Sequence, residues 1–170
     1  MSIEALNRAK EILGAAVTST HSYRGDETLI VDPARVADVM KTLRDDAELA
    51  MGFLVDLTAV DYLGREPRFE VVYHLRSMAS GARLRVKAPL AEPFEESGNA
   101  GYPVIDSVTP LWPVANWLER EVWDLYGIKF RGHPDLRRIL MYEEFVGHPL
   151  RKDYPKEKRQ PLVRRPPDEV

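Results

Sequence analysis

The alternation of apolar and polar residues between positions 68 and 87 constrains the fold more than any other feature of the sequence. In residues 68–76 every second position is a large apolar side chain, and residues 83–87 repeat the alternation after a turn at Gly81. A period of two is that of a β-strand with one buried face. Two such strands joined by a short turn predict an antiparallel pair that the rest of the chain covers on one side.

The remaining chain mixes helix and strand signals and contains no repeated βαβ unit. Strands are predicted at 16–23, 27–32, 53–62, 68–76 and 83–87, and helices at 2–13, from 33 onwards and at 113–126. Gly14 and Gly127 stop two of these helices, and Asp32-Pro33 begins another. The sequence therefore predicts an α+β fold, with a mostly antiparallel sheet and helices packed on one of its faces.

The last part of the chain has a different composition. Residues 147–170 carry seven basic and four acidic side chains, and five of the 13 prolines. Such a stretch cannot build a core, and its prolines favour an extended backbone. We therefore divide the chain into an α+β domain, residues 1–146, and an extended, basic, proline-rich C-terminal arm, residues 147–170. Two interpretations of the arm stay open: a disordered tail, or a segment that orders along an acidic partner.

The 170 residues include no Cys, which removes several classes of site. Without thiolates the chain offers no disulfide framework, no cysteine-ligated zinc or iron–sulfur site and no Cys nucleophile. No apolar run approaches the roughly 20 residues of a membrane span. Residues 1–6 lack the basic start of a signal peptide. The net charge of −3 does not favour nucleic-acid binding.

The predicted helix at 113–126 carries two residues that depart from its apolar pattern. The predicted apolar stripe consists of Val114, Trp117, Leu118, Val122 and Leu125. Glu121 falls inside this stripe, and a buried carboxylate needs a partner, for which Arg137 and Arg138 are the candidates. Trp123 falls on the polar face, which is typical of an anchor in a protein interface. The alternative is that Trp123 packs beneath the chain's own tail.

Two Gly-His-Pro units, at His133 and His148, raise the possibility of a metal site. Zinc usually takes three or four protein ligands, and this spacing offers no tight pair of histidines. We expect both imidazoles to hydrogen bond to backbone carbonyls in turns. The sequence also lacks a phosphate-binding glycine loop and a nucleophile elbow. We therefore predict no catalytic, cofactor-binding or metal-ligating residue.

One stretch carries a resemblance to a known family. It reads Glu119-Arg120-Glu121-x-x-Asp124-Leu125-Tyr126, then six residues to His133, then Arg137-x-Ile139-Leu140. The flanking stretches 107–117 and 147–155 agree with it. Together they resemble the thirty-kilodalton (C) subunit of proton-translocating NADH-quinone oxidoreductase, which is respiratory complex I. The resemblance covers residues 30–155.

The resemblance implies a non-catalytic subunit of the peripheral arm that binds no cofactor itself. The assembled complex passes electrons from NADH through FMN and Fe-S clusters to quinone and couples this to proton translocation. The implied partners are the forty-nine-kilodalton (D) subunit and other peripheral-arm subunits, with no nucleic acid. The implied location is the cytoplasmic side of the inner (plasma) membrane, with membrane contact only through the complex.

The resemblance also assigns roles to individual residues. The structural residues of the family signature are Glu119, Arg120, Glu121, Asp124, His133, Arg137 and Arg138. The expected partner interface consists of Trp123, His148, Arg151, Lys152 and Tyr154.

Three alternative functions stay open at this point. The first is the equivalent subunit of a related membrane complex linked to coenzyme F420H2, ferredoxin or a hydrogenase. The second is a stand-alone metal-dependent hydrolase built on His133 and His148. The third is a nucleic-acid-binding arm, which the four acidic residues of the arm disfavour.

Overall fold

Five strands form one mixed sheet in the computed structural model, which describes residues 2–93 and 101–161. They are β1 (Val17–Tyr23), β2 (Asp26–Val31), β3 (Phe53–Asp61), β4 (Phe69–Arg76) and β5 (Arg83–Leu90). Their order is β1-β2-β5-β4-β3, and only β2 and β5 pair in parallel. The mostly antiparallel sheet predicted from the alternating stretches is confirmed.

Three helices pack on one face of this sheet. They are α1 (Ser2–Leu13), α2 (Val36–Asp45) and α3 (Ala115–Tyr126). The predicted start at Asp32-Pro33 is a short 3-10 turn before α2, in which Asp32 Oδ1 accepts a hydrogen bond from Ala34 N–H at 2.9 Å. Gly127 ends α3 with φ of 70°, in the left-handed region that favours glycine. The α+β class is therefore confirmed.

The strand register places apolar side chains together on the face that the helices cover. Tyr73 on β4 lies opposite Leu57 on β3 and Val86 on β5, and Val86 lies opposite Leu29 on β2. All four side chains are buried and join the buried residues of the helices in one core. The core thus lies between the sheet and a single helical layer.

The other face of the sheet carries a polar row. Asp56, His74, Arg85 and Thr28 lie opposite one another across β3, β4, β5 and β2. The buried residues of the helices belong to the core on the first face. Within the described ranges no helix covers this second face, which is called the open face below.

A second, two-stranded sheet flanks α3. Strands β6 (Val104–Asp106) and β7 (Lys129–Arg131) pair in parallel, before and after the helix. Strands of three residues are too short to produce a recognisable period, so the sequence did not predict them. From residue 132 to 161 the chain contains no helix or strand. The predicted arm thus has no regular structure in its described part, residues 147–161, and residues 162–170 lie outside the described residues.

The irregular part of the chain begins at residue 132. The predicted domain boundary at residue 147 stays a prediction. In the described part of the chain no helix has both the length and the apolar character needed to cross a membrane.

Candidate functional site

Glu119, in the middle of α3, holds the chain segment that precedes the helix. Its carboxylate is fully buried, with Oε2 accepting from Ser107 Oγ and Oε1 from Val108 N–H, both at 2.7 Å. Ser107 Oγ also lies 2.7 Å from Thr109 Oγ1. Burial raises the pKa of Glu119 to about 7, and the two hydrogen bonds only partly oppose this effect. Glu119 therefore fixes the connection between β6 and α3.

The raised pKa of Glu119 makes chain stability depend on pH. The folded chain binds this proton more tightly than the unfolded chain, so the stabilisation is complete below the unfolded pKa of 4.5 and is lost as pH rises through about 7. Relative to Glu119→Gln, the free energy of unfolding should fall by up to about 3 kcal/mol over this window. Denaturant titrations of both chains at a series of pH values measure the difference. A difference that stays constant with pH would contradict the raised pKa.

Asp124, one turn further along α3, holds the segment that follows the second sheet. Its Oδ2 accepts from the backbone N–H groups of Ile139, Leu140 and Met141 at 2.8–3.0 Å, and its Oδ1 accepts from Arg138 Nη1 at 2.6 Å. Burial alone would raise the pKa of Asp124, but these hydrogen bonds together lower it below its usual value. One carboxylate thus fixes four consecutive residues of an irregular segment.

Arg120 contacts the same segment from a neighbouring position on the helix. Its Nε and Nη2 donate to the carbonyl oxygens of Arg137 and Arg138, both at 3.1 Å. Its guanidinium also lies over the Trp117 ring, 5.2 Å from the ring centre. Arg120 therefore binds carbonyl oxygens of this segment, and Asp124 binds its N–H groups.

The two histidines of the Gly-His-Pro units bind backbone groups. His133 Nδ1 accepts from Asp135 N–H at 3.0 Å, so its proton lies on Nε2, which donates to Asn116 O at 3.1 Å. His148 Nδ1 lies 2.9 Å from Asp124 O. Both imidazoles bind backbone carbonyls as expected, but these carbonyls belong to α3 and not to the turns. Within residues 2–93 and 101–161 no group of three or more His, Asp or Glu side chains is arranged to hold a metal.

The prediction that Glu121 is buried and paired with Arg137 or Arg138 is wrong. Glu121 is exposed, Arg137 pairs with Asp135 at 2.9 Å, and Arg138 pairs with Asp124. The predicted apolar stripe is also rotated, since its members Val114 and Trp117 are 46% and 60% exposed. The physical reason is that Glu119 and Asp124 are buried on α3 and satisfied by backbone N–H groups, while large apolar residues of the helix face outwards.

Trp123 packs inside its own chain, as the alternative interpretation had it. Its ring meets Tyr102 and His148 edge-on, with centroids 5.2 and 5.4 Å away. It is partly buried rather than projecting from the surface.

A Cβ on Gly127 would lie only 2.6 Å from His148 Cδ2, so the glycine is required for the close approach of His148. The start of the arm therefore packs against the end of α3.

A buried ionic cluster attaches the next residues of the arm to the sheet. Arg68 donates to Asp61 through Nε and Nη2 at 2.9 Å, and pairs with Glu92 and Asp153 at 2.8 and 3.0 Å. Asp61 Oδ2 also accepts from Lys152 N–H at 2.8 Å. Hydrogen bonding to Asp61 raises the pKa of Arg68, so the guanidinium stays charged. Asp61, Arg68 and Glu92 are site residues that sequence reasoning missed, because they are distant in sequence from the arm.

The residues predicted to form a partner interface divide into two groups. His148 and Arg151 face inwards: Arg151 Nε donates to Tyr126 O at 2.6 Å, and its guanidinium lies 5.1 Å from the centre of the Phe69 ring. Lys152 is exposed, and Tyr154 is partly buried. The contacts within the chain neither require nor exclude a partner, so the predicted interface stays a prediction.

The irregular segment presents apolar side chains to solvent. Residues 132–161 and the outer side of α3 together expose Trp117, Leu140, Tyr142, Val146 and Leu150, each by at least 40%. Exposed apolar residues of this size on a backbone fixed by buried side chains are typical of a protein interface. Sequence reasoning missed them because it assigned Trp117 to the core and treated the segment as turns.

Comparison with known proteins identifies the family. The model of the respiratory-chain NADH dehydrogenase 30 kDa subunit matches residues 29–160. The C subunit of NADH-quinone oxidoreductase from Citrifermentans bemidjiense is 50% identical over 151 residues, which are 89% of this chain and 88% of that one. The C subunit from a Roseiflexus species is 49% identical over 88% of this chain and 82% of its own.

A solved structure shares the fold at low sequence identity. It is a chain of the membrane-bound sulfane sulfur reductase, an archaeal respiratory membrane complex, with a TM-score of 0.63 and 22% identity. The match covers 82% of this chain and 75% of that chain. The chain therefore belongs to the family of the 30 kDa subunit of respiratory-chain NADH dehydrogenase, together with the C subunits of bacterial NADH-quinone oxidoreductases.

Proposed function

We propose that this chain is a non-catalytic subunit of a membrane-bound NADH-quinone oxidoreductase that holds neighbouring subunits of the peripheral arm in position. The observation that carries the proposal is that the buried signature residues of α3 bind other segments of their own chain. Glu119, Arg120 and Asp124 all bind backbone of their own chain and thereby fix residues 107–108 and 137–141. Buried polar groups satisfied in this way make a segment rigid rather than reactive.

The redox groups implied by the family do not fit this chain. An iron–sulfur cluster is usually held by cysteine thiolates, and the sequence contains none. A flavin phosphate is usually held at a glycine-rich turn before a helix, and no such motif is present. In the proposed complex, other subunits hold FMN and the Fe-S clusters that carry electrons from NADH to quinone. This chain supplies surfaces that position those subunits.

The partner we propose is the forty-nine-kilodalton subunit of the same complex, bound through residues 132–161 and the outer side of α3. The exposed side chains of Trp117 and Leu140 provide apolar contact area, and Lys152 adds a positive charge at the edge. A segment whose backbone is already fixed loses little entropy on binding, which favours a tight interface. We propose a peripheral location for the chain, on the cytoplasmic side of the membrane and in contact with it only through the complex.

Purification of the tagged chain from its host tests the proposal. Membranes are solubilised in mild detergent, the tagged chain is recovered, and NADH-quinone reductase activity and the accompanying proteins are measured. We expect the forty-nine-kilodalton subunit, further subunits and quinone-linked activity in the eluate. Activity with reduced coenzyme F420, ferredoxin or hydrogen in place of NADH would assign the chain to a related complex. A lone protein without partners would contradict the proposal.

A substitution on the segment tests which surface binds the partner. We expect Leu140→Asp to reduce recovery of the forty-nine-kilodalton subunit at least tenfold, because a charge would be buried in an apolar interface. Ile3→Asp on α1 is the matched control, since the two side chains are 56% and 58% exposed in the free chain. Both variants should melt within a few degrees of the wild type. Undiminished recovery with Leu140→Asp would remove this surface from the proposal.

A further inference from the structure

Two arginines on the open face lie directly opposite each other without an acidic partner. Arg76, at the end of β4, is the cross-strand partner of Arg83, at the start of β5, and both are exposed. Among the described residues neither side chain forms an ion pair. Like charges directly opposite in a sheet repel each other. The isolated chain therefore gains nothing from this pair.

The acidic residues close to the pair form no ion pair with either arginine. Arg76 and Arg83 line a groove of 410 Å³ that also contains carboxylates. There are three of these: Asp26 pairs with Arg85 at 3.1 Å, Asp56 Oδ1 accepts from Leu57 N–H at 2.9 Å, and the buried Glu27 accepts from Ser22 Oγ at 2.9 Å. None of the three carboxylates forms an ion pair with Arg76 or Arg83, so both guanidinium groups remain available to carboxylates from outside.

Apolar side chains lie beside the same end of the open face. Phe53, the cross-strand partner of Arg76, is 49% exposed, and Val55, which lines the groove, is 51% exposed. Tyr23, at the end of β1, is 64% exposed. Arginine and aromatic residues together are enriched where proteins bind one another. The groove thus combines unpaired positive charge with exposed apolar area.

We propose that this end of the open face is a second docking surface, which binds an acidic segment of another subunit of the complex. Carboxylates of that segment pair with Arg76 and Arg83, and its apolar side chains pack on Phe53 and Val55. The surface lies on the opposite side of the sheet from α3, so the chain contacts two neighbours at once. This inference rests on the proposed function for the existence of a complex and adds a separate contact to it.

Labelling of a single introduced cysteine tests the surface in the assembled complex. The chain has no native Cys, so Val55→Cys places a unique thiol in the groove, and Ile3→Cys places one on α1. We expect a maleimide to label Val55→Cys at least tenfold more slowly in the purified complex than in the free chain, with Ile3→Cys slowed by much less. Equal rates in complex and free chain, for a chain that does co-purify with the complex, would overturn this inference alone. Protection that appears in the free chain as its concentration rises would assign the surface to a second copy and also overturn it.

Charge reversal separates docking from folding. Arg83→Glu replaces a repelling pair by an attracting one, so the melting temperature of the free chain should not fall. Retention of the variant in the complex should nevertheless fall at least fivefold at low salt. Lys10→Glu, an exposed cation on α1, is the control and should retain its place in the complex. Normal retention of Arg83→Glu would overturn the proposal, and so would a loss of retention accompanied by a lower melting temperature.

Discussion

Replacement of Asp124 by Ala is expected to lower the free energy of unfolding by about 3–5 kcal/mol, the largest loss from any single change on α3. The variant leaves the Arg138 guanidinium without its carboxylate, and it leaves three consecutive backbone N–H groups, 139 to 141, without their common acceptor. Each unsatisfied group costs about 1–3 kcal/mol where water cannot replace the acceptor. Relaxation of the segment into water recovers part of that sum.

Denaturant unfolding of the isolated chain measures this loss, with Glu121→Ala as the matched control. Glu121 lies on the same helix but is exposed, so its removal should change stability by less than about 0.5 kcal/mol. The lowered pKa of Asp124 adds a pH signature: its stabilisation is present above the unfolded pKa of 3.8 and is lost as pH falls through the folded value. The difference in the free energy of unfolding between the wild type and Asp124→Ala should therefore shrink in acid. Equal effects of the two substitutions at neutral pH would contradict the assignment of Asp124 as the residue that fixes the segment.

Arg68→Met is the second change with a large expected effect, again about 3–5 kcal/mol. The Arg68 side chain is 6% exposed, and the carboxylate of Asp61, its main partner, is fully buried. Loss of the guanidinium leaves Asp61 with the Lys152 N–H as its remaining donor. Glu92 keeps only Arg151, 3.7 Å away, and Asp153 loses its ion pair. Breaking one side of a buried pair is costly because the other charge stays buried.

A double substitution distinguishes loss of the ion pair from loss of packing. Asp61→Leu combined with Arg68→Met removes both charges and should recover a large part of the stability, because an apolar pair of similar volume often replaces a buried ion pair. Arg65→Met, on the same hairpin and exposed, is the control and should be nearly neutral. Limited proteolysis of Arg68→Met should also cut near residue 153 sooner than in the wild type. A neutral Arg68→Met would show that the cluster does not hold the arm.

The sheet was predictable because its local pattern and its burial agree. Residues 69–75 alternate in the sequence, and the same alternation appears in the structure as buried Phe69, Val71, Tyr73 and Leu75. The parallel pairing of β2 with β5 was not predictable, because it depends on how the intervening elements return to the sheet. The pairing of β6 with β7 likewise joins segments on either side of α3, so local sequence does not predict it.

The sequence pattern of α3 predicts the wrong buried face. Trp117 and Val114 dominate any apolar stripe, yet both are exposed, while Glu119 and Asp124 are buried. A buried carboxylate is stable only where donors converge on it, and here the donors come from residues 107–108 and 138–141. Contacts between residues so far apart in the sequence produce no local pattern from which burial can be predicted. The signature nevertheless marked the correct helix, and Glu119, Arg120 and Asp124 are its residues on α3 that bind backbone groups of other segments.

We propose that this chain supports assembly and takes no part in electron transfer. Turnover per assembled complex tests it most directly. A host strain that carries Leu140→Asp as its only copy is compared with wild type for the amount of intact complex in solubilised membranes and for NADH-quinone reductase activity per complex. We expect a large drop in the amount of complex, with unchanged turnover in the fraction that assembles. A normal amount of complex with reduced turnover would contradict the account, because it would place this chain in the reaction itself.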